Sequence, residues 1–194
     1  MILLDIGCNI GVYTVWVAAL GNRVVALDMV GANLHLLQLS LYLNRLGKKV
    51  TLINNAVYRD HRTLEAFLGA SRLNTSKPFK VQEDQSRTRV RVRTICLNDL
   101  VPLLKDQTIY MKMDIENTEH HALACADQLF RHVNIKIVQM EWHRRVPEES
   151  KPILNFMAAH GYAASLSSVQ LSPVSLVTIR RNIDVFFLKK SAFH

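Results

Sequence analysis

The chain has 194 residues, of which 49% are hydrophobic and 21% charged, and its formal net charge is +8. These proportions describe one globular domain with enough chain to bury a core, and they exclude a disordered or low-complexity protein. No apolar run approaches the ~18 residues needed to span a bilayer.

In chain order, residues 2–6 predict a short buried strand and residues 12–20 a helix stopped by Gly21-Asn22. Residues 10–20 have the apolarity of a signal-peptide core. Asp5 lies just upstream, however, and neither a basic flank nor a cleavage-like pattern accompanies them, so they read as a buried helix. Residues 24–27 predict a second strand. A second helix follows over 32–46, with Leu34, Leu37, Leu41 and Leu46 near helical spacing and Gly47 as its stop, and a third strand over 50–53.

From Arg59 to Arg93 the chain turns polar, and this excursion predicts antiparallel strands over 64–68 and 87–94. The regular alternation resumes with a strand over 109–113, a helix over 119–130, a strand over 135–140 and a helix over 151–160 ended by Gly161. Two late strands, 163–166 and 183–188, have no helix between them, and Pro173 fits an antiparallel return. The fold class is therefore α/β: a mostly parallel sheet with helices on both faces and an antiparallel member, in a single domain over 1–194.

Cys8, Cys96 and Cys125 form no CxxC pair. Their scatter argues against a disulfide framework or cysteine zinc site and favours a reducing compartment, read as cytoplasmic. Within the excursion, Arg87, Arg89, Arg91 and Arg93 alternate with Thr88, Val90 and Val92. This pattern predicts a strand with all four arginines on one face. That face is either the solvated side of an edge strand or a patch for an anionic substrate or membrane surface. No aromatics are interleaved, so nucleic acid is not the expected partner.

In open α/β sheets, ligands bind beyond the carboxyl ends of the strands. The turn after the first strand reads Asp5-Ile6-Gly7-Cys8-Asn9-Ile10-Gly11 and leads into a helix. A dinucleotide turn needs G-x-G-x-x-G, whose second glycine admits the pyrophosphate. Here Asn9 holds that position and Val12 the third, which disfavours a diphosphate. Asp5 repels phosphate and suits an ammonium group. Asp28 ends the second strand at the spacing of a carboxylate that binds ribose hydroxyls. An amine partner, a turn without room for pyrophosphate and a ribose partner together describe S-adenosyl-L-methionine.

These segments resemble the FkbM-like family of class I S-adenosylmethionine-dependent methyltransferases. The family's D-[VI]-G-x-N-x-G turn is matched by Asp5, Ile6, Gly7, Asn9 and Gly11. Its F-E-P-x-P-x-N segment, with a further Asn beyond, is represented by Asn33 and Asn44, while Asp28 replaces the glutamate and Met29 the proline. Ala56-Val57 matches its A-V pair, Thr94 to Leu100 its T-L-D-[DE]-L segment with extra residues, and Asp184 to Phe187 its D-x-x-F. Lys112-Met113-Asp114-Ile115-Glu116-Asn117-Thr118-Glu119 matches K-[IM]-D-[VI]-E-G-x-E, with Asn117 in place of glycine.

The resemblance implies a Rossmann-like seven-stranded sheet with one antiparallel strand and a cofactor site made of Asp5, Gly7, Cys8, Asn9, Gly11, Asp28, Met29, Asn33, Ala56 and Asp114. It also implies O-directed transfer to a small hydroxylated molecule or glycan. Relatives carry residues ahead of the first strand that cap the cofactor. This chain begins inside that strand, so it reads as a fragment or as a truncated gene model.

A hydroxyl acceptor needs its proton removed near the methyl. Lys112, Asp114 and Glu116 alternate at one strand end and Glu141 and His143 at the next, and strands ~4.8 Å apart would bring them together. Asp114, Glu116, Glu141 and His143 are thus the candidate catalytic groups. The same four could hold a divalent ion, but nothing in the sequence fixes that geometry and no metal is assigned. His120 and His121 read as surface or packing residues and Trp142 as packing against a helix. A non-catalytic binding domain that keeps the fold, or an N-methyltransferase, are the competing functions.

Overall fold

The computed structural model describes residues 1–67, 89–142, 147–169, 174, 176 and 183–190. Ten strands are described: β1 (Ile2–Ile6), β2 (Arg23–Leu27), β3 (Val50–Ile53), β4 (Ala56–Val57), β5 (Thr63–Phe67), β6 (Arg89–Ile95), β7 (Thr108–Met113), β8 (Asn134–Trp142), β9 (Tyr162–Ser165) and β10 (Ile183–Lys189). The helices are α1 (Val12–Ala19), α2 (Gly31–Leu43), α3 (Val101–Leu104), α4 (Glu119–Leu123), α5 (Asp127–His132) and α6 (Pro147–Ala159).

Seven strands form one sheet in the order β3-β2-β1-β7-β8-β10-β9, and only β10 runs against its neighbours β8 and β9. The expected mixed sheet with one antiparallel member is present. Central β1 is buried along its whole length, as a strand covered on both faces must be. Its residues alternate between two cores. Leu4 and Ile6 join Met111 and Met113 on one side, while Leu3 joins Val24, Ala26, Leu34, Leu37 and Leu41 on the other, beneath α2.

A second, three-stranded sheet, β4-β6-β5, takes its antiparallel pair β5 and β6 from the two described ends of the excursion, and β4 from just before it. In β6, Arg91 and Arg93 are exposed while Val92 is buried, so the predicted alternation holds there. The side chain of Arg89, and Arg87 altogether, lie outside the described residues, as do His143 and Pro173.

Several expectations need correction. The first helix is not buried: of its eight residues only Thr14 and Ala18, one turn apart, are buried, while Val15 and Val17 pack partly against the core. Val12, Trp16 and Leu20 are 72%, 63% and 65% exposed, because no described element covers the outer face. The helix expected over 119–130 is broken into α4 and α5. Cys125 lies at the break, where it is disulfide-bonded to Cys96 and its carbonyl accepts the Asn98 amide. That bond also corrects the reading that scattered cysteines argue against a disulfide. The two are 29 residues apart in sequence, but the fold brings their Cα atoms to 5.4 Å. Cys8 is the free, buried cysteine. The helix expected from Lys151 begins at Pro147. Trp142 is buried in the same core as Ile153 and Met157 of α6. Among the described residues no helix is long and apolar enough to cross a membrane.

Candidate functional site

A cavity of about 300 Å³ opens at the carboxyl ends of β1, β2 and β7. Of the residues expected around a cofactor, Gly7, Asn9, Asp28, Met29, Asn33, Ala56 and Asp114 line it, joined by Glu116. Asp5, Cys8, Gly11 and Glu141 do not.

The turn is built so that its amides are consumed internally. Gly7 and Cys8 both donate to the Leu27 carbonyl, at 2.9 and 3.0 Å, and Gly11 donates to Cys8 at 2.8 Å. The Asn9 amide donates to Asp28 Oδ2 at 2.8 Å. A phosphate-binding turn presents such amides to its ligand; here these four are committed, which supports the reading against a diphosphate. Asn9 sits at φ 51, a left-handed conformation that asparagine tolerates better than most residues.

The two glycines answer to packing as much as to any ligand. A Cβ on Gly7, at φ +79, would lie 1.9 Å from the Asp114 carbonyl oxygen, and one on Gly11, at φ +88, would lie 2.2 Å from Leu37 Cδ1. Gly7 thus lets β1 and the end of β7 approach, and Gly11 seats α1 against α2.

Asp28 is 8% exposed. Besides Asn9, it accepts the Val30 amide at 2.8 Å and the Asn33 side chain at 3.4 Å. The carboxylate welds the glycine turn to the start of α2 and still borders the cavity. Asp5 stands behind the turn, 1% exposed, where Oδ2 accepts the Thr14 hydroxyl at 2.7 Å and Oδ1 has no hydrogen-bond partner among the described residues. Burial, opposed by that hydrogen bond, pushes its carboxyl above the usual range.

The expected alternation of Lys112, Asp114 and Glu116 on one face stops at the end of β7. Lys112 Nζ does reach Asp114 Oδ2 at 3.1 Å. Beyond Asp114 the chain enters a tight turn with Glu116 at φ 56 and Asn117 at φ 69, so Glu116 enters the cavity wall by a turn and not by strand geometry. Glutamate in that conformation is uncommon and marks a site worth chemical attention. Glu119 holds the turn from behind: it is 1% exposed and its Oε1 accepts the Ile115 amide at 3.1 Å. Glu141 does not line the cavity; it is in register with Asp184 across the β8–β10 ladder and directly follows the Met113–Met140 pair that ends the β7–β8 ladder. Among the described residues no three His, Cys, Asp or Glu side chains are gathered as a metal site.

Sequence reasoning missed the apolar walls Ile6, Leu27, Val57 and Ile115 and the polar Asn55 and Thr118. Ile6, Val57, Ile115 and Thr118 stood in the motifs without being assigned to the site, and Leu27 and Asn55 lie beside motif residues. It also missed a polar row crossing the sheet under α1. Asp5 is in register with Lys112, and Lys112 with Gln139. Gln139 donates to Asp184 at 2.9 Å and accepts from the Tyr110 hydroxyl at 2.8 Å. Lys112 Nζ lies 5.0 Å from the centroid of the Tyr13 ring.

The strand order, the single reversed strand and a cavity over the ends of β1 and β2 define the class I methyltransferase fold. Solved structures share it. A methyltransferase FkbM from Methylobacillus flagellatus KT superposes with a TM-score of 0.61 at 16% identity, over 95% of this chain and 42% of that one. The precorrin-6y C5,15-methyltransferase of Geobacter metallireducens GS-15 gives 0.50 at 12% identity, covering 97% and 79%. Magnesium protoporphyrin IX methyltransferase from Synechocystis PCC 6803, solved with bound S-adenosylmethionine, gives 0.51 at 11%, covering 97% and 69%. The chain belongs to the FkbM methyltransferase domain family, whose sequence model matches residues 5–164. It spans less than half the length of the FkbM structure above. No curated protein sequence matches it.

Proposed function

We propose that the chain binds S-adenosylmethionine and transfers its methyl group to a hydroxyl of a small hydroxylated molecule or glycan. The observation that carries the reading is one cavity bordered at one end by Asp28 and Asn33 and at the other by Asp114 and Glu116. The residues fit the cofactor. Asp28 has acceptor capacity beyond its three internal bonds for ribose hydroxyls, and Met29, Val57 and Ile115 offer apolar walls for a flat base. Asp5, with its unpartnered buried oxygen, provides negative potential behind the turn for an ammonium group.

When bound, S-adenosylmethionine supplies an activated methyl on a sulfonium. The protein's part is to align the acceptor, which is worth ~7–11 kcal/mol of barrier when geometry is ideal, and to take up its proton. Asp114 is the first candidate for that step. It borders the cavity, its side chain is 34% exposed, and Lys112 fixes one carboxylate oxygen while the other remains for an acceptor hydroxyl. Glu116 is the second.

The test is calorimetry with S-adenosylmethionine and S-adenosylhomocysteine, followed by turnover of an Asp114→Ala variant with any acceptor found. Micromolar binding by the intact chain and a loss of at least a hundredfold in kcat are expected. Absence of binding removes the cofactor reading, and undiminished turnover removes Asp114 from the reaction.

A further inference from the structure

A second, open cleft of about 550 Å³ adjoins the cofactor cavity, and Asn55 lines both. Their shared wall is the β4–β6 ladder. Ala56 and Val57 of β4 face the first cavity, and their register partners Thr94 and Ile95 of β6 line the second. Paired strands are ~4.8 Å apart, so a ligand in the cleft lies about one strand width from the cofactor cavity.

The cleft is lined by donors. Arg62 and Arg93 bring positive charge and His61 an imidazole, and none of the described lining residues is acidic. Arg93 is exposed and forms no ion pair among the described residues. Its carbonyl is engaged by Asn55 Nδ2 at 3.1 Å, leaving the guanidinium out of the backbone scaffold. Arg62 gives two of its five N–H donors to Asp60 and keeps three. That ion pair fixes the plane of the guanidinium without closing it. His61 is oriented by Asp99 at 2.7 Å through one ring nitrogen. Two planar forks and an imidazole around one opening match the oxygens of a phosphate or carboxylate. The arginine strand β6 is the central strand of its sheet, between β4 and β5, and not the expected edge strand; its alternation ends with Arg93 in this cleft.

We propose that this cleft is an anion subsite that holds the phosphate or carboxylate group of the methyl acceptor, so that the acceptor is an acidic hydroxylated molecule and not a neutral one. The acceptor part rests on the methyl-transfer reading above; the anion site itself does not.

The test uses the full chain and four probes: inorganic phosphate, glucose, glucose 6-phosphate and glucuronate, titrated calorimetrically with S-adenosylhomocysteine present and absent. Saturable binding of phosphate is expected, with the two acidic sugars at least tenfold tighter than glucose. The tighter of the two identifies the anion. In an Arg93→Gln variant the preference should collapse to within twofold, while S-adenosylhomocysteine affinity and melting temperature stay at wild-type values. Equal binding of glucose and its acidic forms, non-saturating phosphate uptake, or a preference that survives Arg93→Gln overturns the subsite. If S-adenosylhomocysteine fails to bind while phosphate still does, the methyl-transfer reading falls and the anion site stands.

Discussion

Oδ2 of Asp28 accepts the amide of Asn9 at 2.8 Å, while Oδ1 of the same carboxylate accepts the amide of Val30 at 2.8 Å. One side chain therefore ties the glycine turn after β1 to the entry of α2, and both amides need an acceptor. Asp28→Asn supplies only one acceptor oxygen, so one amide would meet an NH2 group instead. Leaving such a donor unsatisfied costs ~1–3 kcal/mol. The expected result is a stability loss of that order in urea unfolding, together with at least tenfold weaker binding of S-adenosylhomocysteine. A variant that binds like wild type would show that Asp28 only builds the turn.

Gly7 and Gly11 share a left-handed backbone but differ in what a methyl group would strike. At Gly7 the obstacle is the backbone carbonyl of Asp114, fixed by the β1–β7 ladder and by the Asp114 N–H, which donates to the Ile6 carbonyl at 3.0 Å. At Gly11 it is the end of the Leu37 side chain, which can rotate. Gly7→Ala should abolish soluble, cooperatively folded protein. Gly11→Ala should fold with a loss of ~1–3 kcal/mol from strain and overpacking. Circular dichroism melts of the two variants check the ranking, and the reverse order would sink this account of the turn.

Much of the fold was legible because β1, β2, β3, β7 and β8 are short apolar runs separated by helical periods, a signal that burial on both faces keeps intact in central β1. The cavity-lining residues Gly7, Asn9, Asp28, Met29 and Asn33 were legible for a related reason: they follow strand ends at fixed offsets. Glu141 does not line the cavity, and its register with Asp184 joins segments too far apart in sequence to be read from it. The 119–130 helix was read as continuous because the residues at its break, Ala124-Cys125-Ala126, include no glycine or proline, while the Cys125 bond to Cys96 there joins segments distant in sequence. The departure at Asn117 became intelligible only with its φ of 69, since asparagine is among the few residues that occupy a glycine's left-handed position at small cost.

The Cys96–Cys125 bond closes a loop that contains β7, Asp114, Glu116 and α4. Closing a loop of about 30 residues stabilises the folded state by ~3–4 kcal/mol in the chain-entropy account. Melting in the presence of a reductant should therefore lower Tm by several degrees, and Cys125→Ser should reproduce that shift without reductant. A formed disulfide and a reducing cytoplasm pull in opposite directions. Counting free thiols in protein trapped by alkylation at lysis decides between them: one thiol fits the bonded form, three the reduced form.

His121 packs 4.7 Å from the Tyr58 ring and 4.0 Å from the His120 ring. Burial, reinforced by the charges of His120, Arg59 and Arg62 and opposed by Asp60, pulls its pKa down to about 4. An unfolded histidine titrates near ~6.5. Between those two values the unfolded chain binds more protons than the folded one, so stability rises with pH across the window. As pH falls from about 6.5 the imidazole contribution is lost progressively, and below about 4 the loss is complete. Following the ring proton of His121 by NMR should give a midpoint near 4, and His120→Gln, which removes a neighbouring positive charge, should move it upward. A midpoint above 6 would mean that the imidazole is open to water, and the packing of α4 against Tyr58 would have to be redrawn.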